Sequence, residues 1–415
     1  MKIKQLAMAL CVFLCSIAFA WMWFVPAFWE LSQDHSSFIN ALNDVFFRSN
    51  KKEFFLGDTT DLQGTIWVFH WMDQVIQGNS TTILDEIYYP IGFDWGLNEG
   101  FAWADAVLGQ PYFRLIGTMG FYNFHILVLL AGNFLLLSLV FSSIGMGLFP
   151  AMGLSSIVLL HPFAQHEIFQ GRPTQMHLWF HAGILLSLYK IAYQESTKLY
   201  WSFFGGVCLA GACLVYWFGG AALGFVGAFA VFLVWIQRSF SKILFLQAIS
   251  LAGTSIVICL FFTWRLSSLY LTGNNDGLFP HLDSTPWLNW TLFQFEFPLN
   301  TVLHVNSFQD IDREIRHAYF PKTIYWLFAV AFLLPFEWKK RIPWLIATLI
   351  AVSIPLPMAF NFGDFWIPSG QALLSWCFPP LERSGFPARL MTASMLMIAF
   401  CIALGCAAIN RRIKK

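Results

Sequence analysis

Long apolar runs, short basic connections and three long polar segments alternate along this chain. The apolar runs lie near 5–25, 121–143, 145–163, 174–192, 200–218, 220–236, 243–264, 321–337, 343–360 and 388–408. A membrane's hydrocarbon core takes about 20 apolar residues of helix to cross. Backbone N–H and C=O groups cannot stay unpaired in lipid, so runs of this length must be helical. The period-two alternation of a membrane β-barrel is missing. The pattern predicts an all-α polytopic membrane protein with about ten transmembrane helices. The 321–337 run is short and flanked by Pro321 and Pro335. At the start, "MKIK", an apolar stretch and "AFA" at 18–20 resemble a cleavable signal peptide. The apolar run continues through "WMWFV", too long for a typical signal core, which favours an uncleaved anchor.

Basic residues in short loops set the orientation. With the N-terminus in the cytoplasm, the inner side receives Lys2, Lys4, Lys190, Lys198, Arg238, Lys242, the "KKR" at 339–341 and the tail "RRIKK". Both termini are then cytoplasmic, and the long segments 26–120, 264–320 and 361–387 are outer loops of one integral membrane domain spanning 1–415. Of the 23 acidic residues, 21 fall outside, leaving only Glu195 and Glu337 inside. All ten histidines fall outside or in outer helix ends. Polar chemistry is therefore expected on the outer face.

Composition agrees. Charged residues are 11% of the chain and hydrophobic residues 57%, whereas a soluble domain carries about 25% charge. A net charge of +1 gives no reason to expect a nucleic-acid partner. Seven of the eight cysteines lie in predicted helices, and no disulfide framework or zinc-ligand spacing is present.

The first outer loop carries the densest chemistry. In "GDTTDLQGTIWVFHWMDQVIQG" (57–78), Asp58 and Asp61 open a helix that Thr59 or Thr60 can cap and Gly78 can end. Leu62, Ile66, Phe69, Met72 and Ile76 share one face, bordered by Trp67 and Trp71, as in a helix lying in the membrane interface. A helix N-terminus favours acids, so a solvated capping turn is the simplest account of the pair. Yet the loop runs for roughly 95 residues, far above ordinary connection lengths, and is too aromatic to be disordered. It should fold as interfacial helices, with Asp105 in "WADAVLGQP" as its third notable acid.

Between the third and fourth runs, "HPFAQHEIFQGRPTQMHLWFH" (161–181) carries His166, Glu167, Arg172, Gln175, His177 and His181. It is not an HExxH metalloprotease motif, because no histidine stands at 170. His177 and His181, four apart, can face a metal together, although hydrogen bonding to loop carbonyls is the commoner arrangement. Arg172, beside the turn formers Gly171 and Pro173, suits a phosphate or a loop carboxylate. Arg383 and Arg389, in "ERSGFPARL" before the last run, have the guanidinium geometry for phosphate, but generic lipid contact is the more usual role of such arginines. "DIDREIRHAYFP" reads as a solvated helix with Asp312 and Arg316 paired.

The order of these pieces resembles the GT-C membrane glycosyltransferases: a short cytoplasmic N-terminus, one span, an acid-bearing outer loop "GDTTD", an amphipathic helix to Gly78, and the aromatic-proline element "YYPIG" at 88–92. "QGRPTQ" at 170–175 and "ERSGFPARL" look like uncharacterised bacterial members. The resemblance covers most of the chain, though D-x-x-D replaces the adjacent acid pair of several subfamilies, ten spans is few for that fold, and no soluble domain follows the last run. It implies a polyprenyl-phosphate-linked sugar donor in contact with membrane lipid, an acceptor that is not identified, and a first-loop acid falling on Asp58 or Asp61.

Transfer of this kind needs a base for the acceptor hydroxyl and positive charge at the departing phosphate. The expected roles are Asp58 or Asp61 as base, Asp105 to orient the acceptor or hold a divalent metal, Arg172 or Arg389 on the phosphate, and His166 and Glu167 lining the site with Gln175 and Arg383. Two rivals stand beside this: a transporter and a non-catalytic scaffold. Against a transporter, none of the predicted spans has Asp, Glu, Lys or Arg near its centre, although "SIPLPMAFNFGDF" (353–365) has the look of a discontinuous helix.

Overall fold

The structure, a computed structural model, describes residues 2–24, 60–80, 83–84, 93–94, 103–116, 118–193, 199–238, 242–262, 327–329, 337–355, 359–362, 365–368, 370, 374 and 390–414. Helices dominate them. They are α1 (Lys2–Met22), α2 (Thr60–Ile76), α3 (Trp103–Ile116), α4 (Thr118–Ile144), α5 (Leu148–Leu159), α6 (Pro162–Phe169), α7 (Leu178–Tyr193), α8 (Tyr200–Tyr216), α9 (Phe218–Gln237), α10 (Lys242–Phe262), α11 (Trp338–Ser353) and α12 (Met391–Ile413). A 3-10 turn, Pro173–Met176, leads into α7.

Among the described residues, four helices are long and apolar enough to cross a membrane: Gly120–Ile144 of α4, α9, α10 and α12. α5 and α6, bent by 54° at the break between them, make a fifth if the pair is counted as one span. The run at 145–163 was expected as one span. His161 has extended backbone (φ −61°, ψ 138°) and Pro162 begins α6. A proline cannot donate into the preceding helix, and it pushes the residue before it out of the helical region. Ala9–Met22 and α8 are apolar but shorter. The chain is thus a helical membrane protein. Ile249, Val257 and Phe261, all exposed on α10, face the lipid that such a surface requires.

α8 and α9 form a tight antiparallel hairpin. Tyr216 (φ −150°, ψ 91°) breaks the helix, and a Cβ placed on Gly224 would lie 2.9 Å from a Leu209 methyl carbon. In a straight helix those two positions would stand about 22 Å apart. The glycines of "FGGAALG" let the second arm press onto the first. The break between the runs at 200–218 and 220–236 therefore falls where the apolar pattern puts it.

α12 is the centre of the bundle. Of its apolar window 89% is buried, against 17% for α10. It packs on α4, α5, α7, α11 and the α8–α9 hairpin. Small residues along it (Ala393, Ser394, Ala399, Ala403, Ala407) allow this close approach on several sides. Ser394 donates to the Ala351 carbonyl of α11 at 2.5 Å.

The helices alternate in direction and sort their polar groups to opposite ends. One end gathers the α4–α5 turn, the close of α7, the start of α11 and the close of α12. There Arg411 makes a two-pronged contact with Glu337 (2.9 and 2.8 Å) and Asn410 donates to the Gly145 carbonyl at 2.9 Å. Tyr193 donates to the Lys340 carbonyl and accepts from the Trp344 indole at 2.8 Å. The other end carries α2, α3, the first turns of α4, the whole of 160–177 and the α8–α9 turn.

Two short antiparallel ladders complete the described residues. β1 (Ile83–Leu84) pairs with β2 (Phe93–Asp94), and β3 (Ala359–Phe362) with β4 (Phe365–Pro368). The stretch expected as a discontinuous helix therefore runs into a strand, with Phe362 opposite Phe365. Pro355 follows the end of α11, and the aromatic residues at 360, 362, 365 and 366 favour a pleated surface.

Candidate functional site

α2 is held against the bundle at both ends. At its close, the Gly78 N–H bonds the Val75 carbonyl (3.1 Å) and the Asn79 N–H the Gln74 carbonyl (2.9 Å), with Gly78 at φ +77°. This double closure needs the left-handed conformation that glycine adopts freely. At its start, Thr65 Oγ1 donates to the Gly171 carbonyl at 2.6 Å. Phe69, Trp71 and Met72 are buried. Trp71 was expected to border the buried face; here it is part of it. Asp73 pairs with Arg114 of α3 at 2.8 Å, and Gln110 of α3 donates to the Phe69 carbonyl at 3.0 Å.

Gly171 repeats the device at the end of α6. Its N–H bonds the Ile168 carbonyl (3.1 Å), the Arg172 N–H bonds the Glu167 carbonyl (2.9 Å), and its φ is +75°. A Cβ at this glycine would sit 2.4 Å from Leu62 Cα. The first turn of α2 therefore rests directly on the backbone of the 170–175 segment. Asp61 and Arg172, each one residue from that contact, start from neighbouring backbone.

Asp105 lies in the first turn of α3 and is 1% exposed. Its Oδ1 lies 3.0 Å from Nε2 of His125, on α4, and also contacts Nε2 of His177, which precedes α7. One donor atom from each of the three buried residues falls within 4.8 Å of the others. The second nitrogen of His125, Nδ1, lies 3.3 Å from the Tyr112 hydroxyl, and Phe69 and Phe121 pack on the His125 ring. Among the described residues, Asp105 Oδ2 and His177 Nδ1 are buried without a hydrogen-bond partner.

Burial alone would push the Asp105 carboxyl up, but the imidazoles of His125 and His177 on one of its oxygens bring it well below the ordinary carboxylate range. Tyr112 is pushed up to about 12, by burial first and then by the Asp105 charge.

Asn133, buried in α4, fixes His177. Its Nδ2 donates to the Met176 carbonyl at 2.6 Å and its Oδ1 accepts from the Trp179 N–H at 3.0 Å. The side chain thus clamps the backbone on both sides of the histidine.

Asp105, Glu167, Arg172, Gln175 and His166 all lie at the same end of the bundle. Arg172 stands 3.9 Å from Glu167 Oε2. Glu167 and His166 are buried on α6, and Gln175 is buried in the 3-10 turn. The backbone of Asp61 lies in α2. Asp58, Arg383 and Arg389 lie outside the described residues, as do Asp312 and Arg316.

One expectation changes. Asp105 is enclosed, and its Oδ1 meets both His125 and His177. His177 and His181 do not face one ligand together. His181 Nδ1 bonds the His177 carbonyl at 3.1 Å, while His177 turns to Asp105. Sequence reasoning passed over His125 and Asn133. The signal was present, since polar side chains inside an apolar run need partners.

No family model matches the chain, and no characterised protein or solved structure matches it either. Fold and site define a class: a helical membrane protein with a buried carboxylate–imidazole cluster at one end of its bundle.

Proposed function

We propose that the chain is a membrane glycosyltransferase that draws its sugar from a polyprenyl-phosphate carrier. The contact of Leu62 with Gly171 carries the proposal, because it brings the acid-bearing first turn of α2 against the arginine-bearing 170–175 segment. A carboxylate at Asp61 or Asp58 takes the acceptor proton, and Arg172, oriented by Glu167, meets the phosphate as its charge grows. The cluster of Asp105, His125 and His177 behind them holds α3, α4 and the segment before α7 in register. Arg383 and Arg389, outside the described residues, remain phosphate candidates. The full arrangement would have ten spans and both termini in the cytoplasm. By the positive-inside rule, the end carrying Lys190, Lys340 and Arg411 faces the cytoplasm of a bacterial inner membrane.

The test uses purified full-length protein in proteoliposomes with a radiolabelled polyprenyl-phosphate sugar and a membrane extract as acceptor source. Release of free polyprenyl phosphate is measured. Asp58→Asn and Asp61→Asn are compared singly with the native protein, with folding checked by elution profile. Removing the base should lower release by roughly 10²–10⁴-fold in one of the two. Native release in both removes the proposed base.

A further inference from the structure

We propose that Asp105, His125 and His177 hold one divalent transition-metal ion, zinc being the best match to the donors. The proposal stands apart from the transfer chemistry, because it rests on the cluster's own geometry.

Two imidazole nitrogens and a carboxylate are a donor set that suits zinc and its first-row neighbours. Around an ion with bonds of about 2.0–2.2 Å, neighbouring donors stand about 3.0–3.5 Å apart. Asp105 Oδ1 and His125 Nε2 are 3.0 Å apart, His177 Nε2 contacts the same oxygen, and one donor atom from each of the three residues lies within 4.8 Å of the others. The three donors come from α3, α4 and the segment before α7, far apart in sequence and joined only by the fold.

A purely hydrogen-bonded cluster accounts poorly for the same atoms. Both histidines would have to be protonated at Nε2 and donate to one carboxylate oxygen. Oδ2 of Asp105 would stay buried without a donor. Buried polar atoms are nearly always paired. An ion supplies the missing partner: a carboxylate and two imidazole nitrogens bind a doubly charged cation. Oδ2 then becomes a second donor to the same ion. Nδ1 of His125, now protonated, donates to the Tyr112 oxygen across the 3.3 Å contact, which is the outer support that metal-binding histidines usually have. Three protein ligands leave a coordination position for water or an oxyanion. The aromatic packing of Phe69 and Phe121 keeps the surroundings dry.

The experiment uses the full chain in detergent, stripped with chelator, dialysed, and titrated with Zn²⁺ or with Co²⁺ as a visible reporter. Metal content is measured by inductively coupled plasma mass spectrometry. The expected result is one ion per chain, with the intense visible bands of cobalt in a low-coordinate nitrogen–oxygen site. Asp105→Asn, His125→Gln and His177→Gln should each lose the ion at the same free-metal concentration. His181→Gln, a buried histidine nearby that is not a donor, should retain it. X-ray absorption at the metal edge of the native protein should show two imidazoles, and this needs no variant to fold. Failure of the native chain to take up an ion, or retention of the full complement in all three donor variants, would overturn the proposal.

Discussion

Replacing Asn133 with leucine separates hydrogen bonding from packing at the point that positions His177. Leucine has the same branched outline but is larger, so no cavity opens in α4. The Met176 carbonyl loses its donor, and the Trp179 N–H loses its acceptor. The first group is buried and the second partly so; at ~1–3 kcal/mol for a buried group left unpaired, the pair should cost at most roughly 2–6 kcal/mol. Unfolding entropy of roughly 2 cal/mol/K per residue over 415 residues makes 1 kcal/mol worth about 1 °C. The apparent Tm in detergent, followed by tryptophan fluorescence, should therefore fall by up to roughly 2–6 °C. Asn133→Asp should do no better. It keeps the acceptor for Trp179 but turns an oxygen toward the Met176 carbonyl. Cobalt uptake should weaken in both variants, since the backbone on either side of His177 is released. A Tm within ~1 °C of native for the leucine variant would refute the clamp.

Gly171→Ala should destabilise and also loosen α2. The new Cβ would meet Leu62 Cα at 2.4 Å, and the φ of +75° adds roughly 1–2 kcal/mol of strain. Gly64→Ala, two residues along α2 from Leu62 with open space around its Cβ, should be neutral or gain up to ~1 kcal/mol. Equal Tm values for these two variants would remove the close contact as their cause. At the opposite end, the Arg411 hydrogen bonds hold Glu337 below the ordinary carboxylate range. A depressed folded value means that its contribution is full above pH about 4.3 and is lost as pH falls through the folded value. Both groups are partly exposed, so that contribution is under ~1 kcal/mol. The native protein should lose slightly more Tm on acidification than Glu337→Gln, and identical acid profiles would count against the pair.

The apolar runs 121–143, 220–236, 243–264 and 388–408 coincide with helices long enough to cross, because lipid leaves the backbone no alternative, while most of the run at 321–337 lies outside the described residues. Glycine positions were equally legible: Gly78 and Gly171 each close a helix at positive φ, as their place after an apolar stretch implies. Asp105, Arg172 and His177 were visible as chemistry-bearing residues in polar segments. Their grouping was not, since Asp105 meets His177 across 72 residues of chain and local pattern carries no such information. His125 was hidden for another reason. It sits inside an apolar run whose only test for function was the absence of full charges. The hairpin β3–β4 was missed because prolines and aromatics near a membrane helix read equally well as a broken span.

The enclosure of α12 has a consequence for how the protein is made. A segment touched by α4, α5, α7, α8, α9 and α11 leaves the ribosome after every one of them. Until Met391–Ile413 arrives, those earlier helices have no axis to close around, and Asp105 and its two histidines sit on partners not yet braced from within. Insertion can thus run stepwise, but consolidation must wait. Quality control acting on stalled or truncated chains would meet an open ring of hydrophobic rods with a vacant middle.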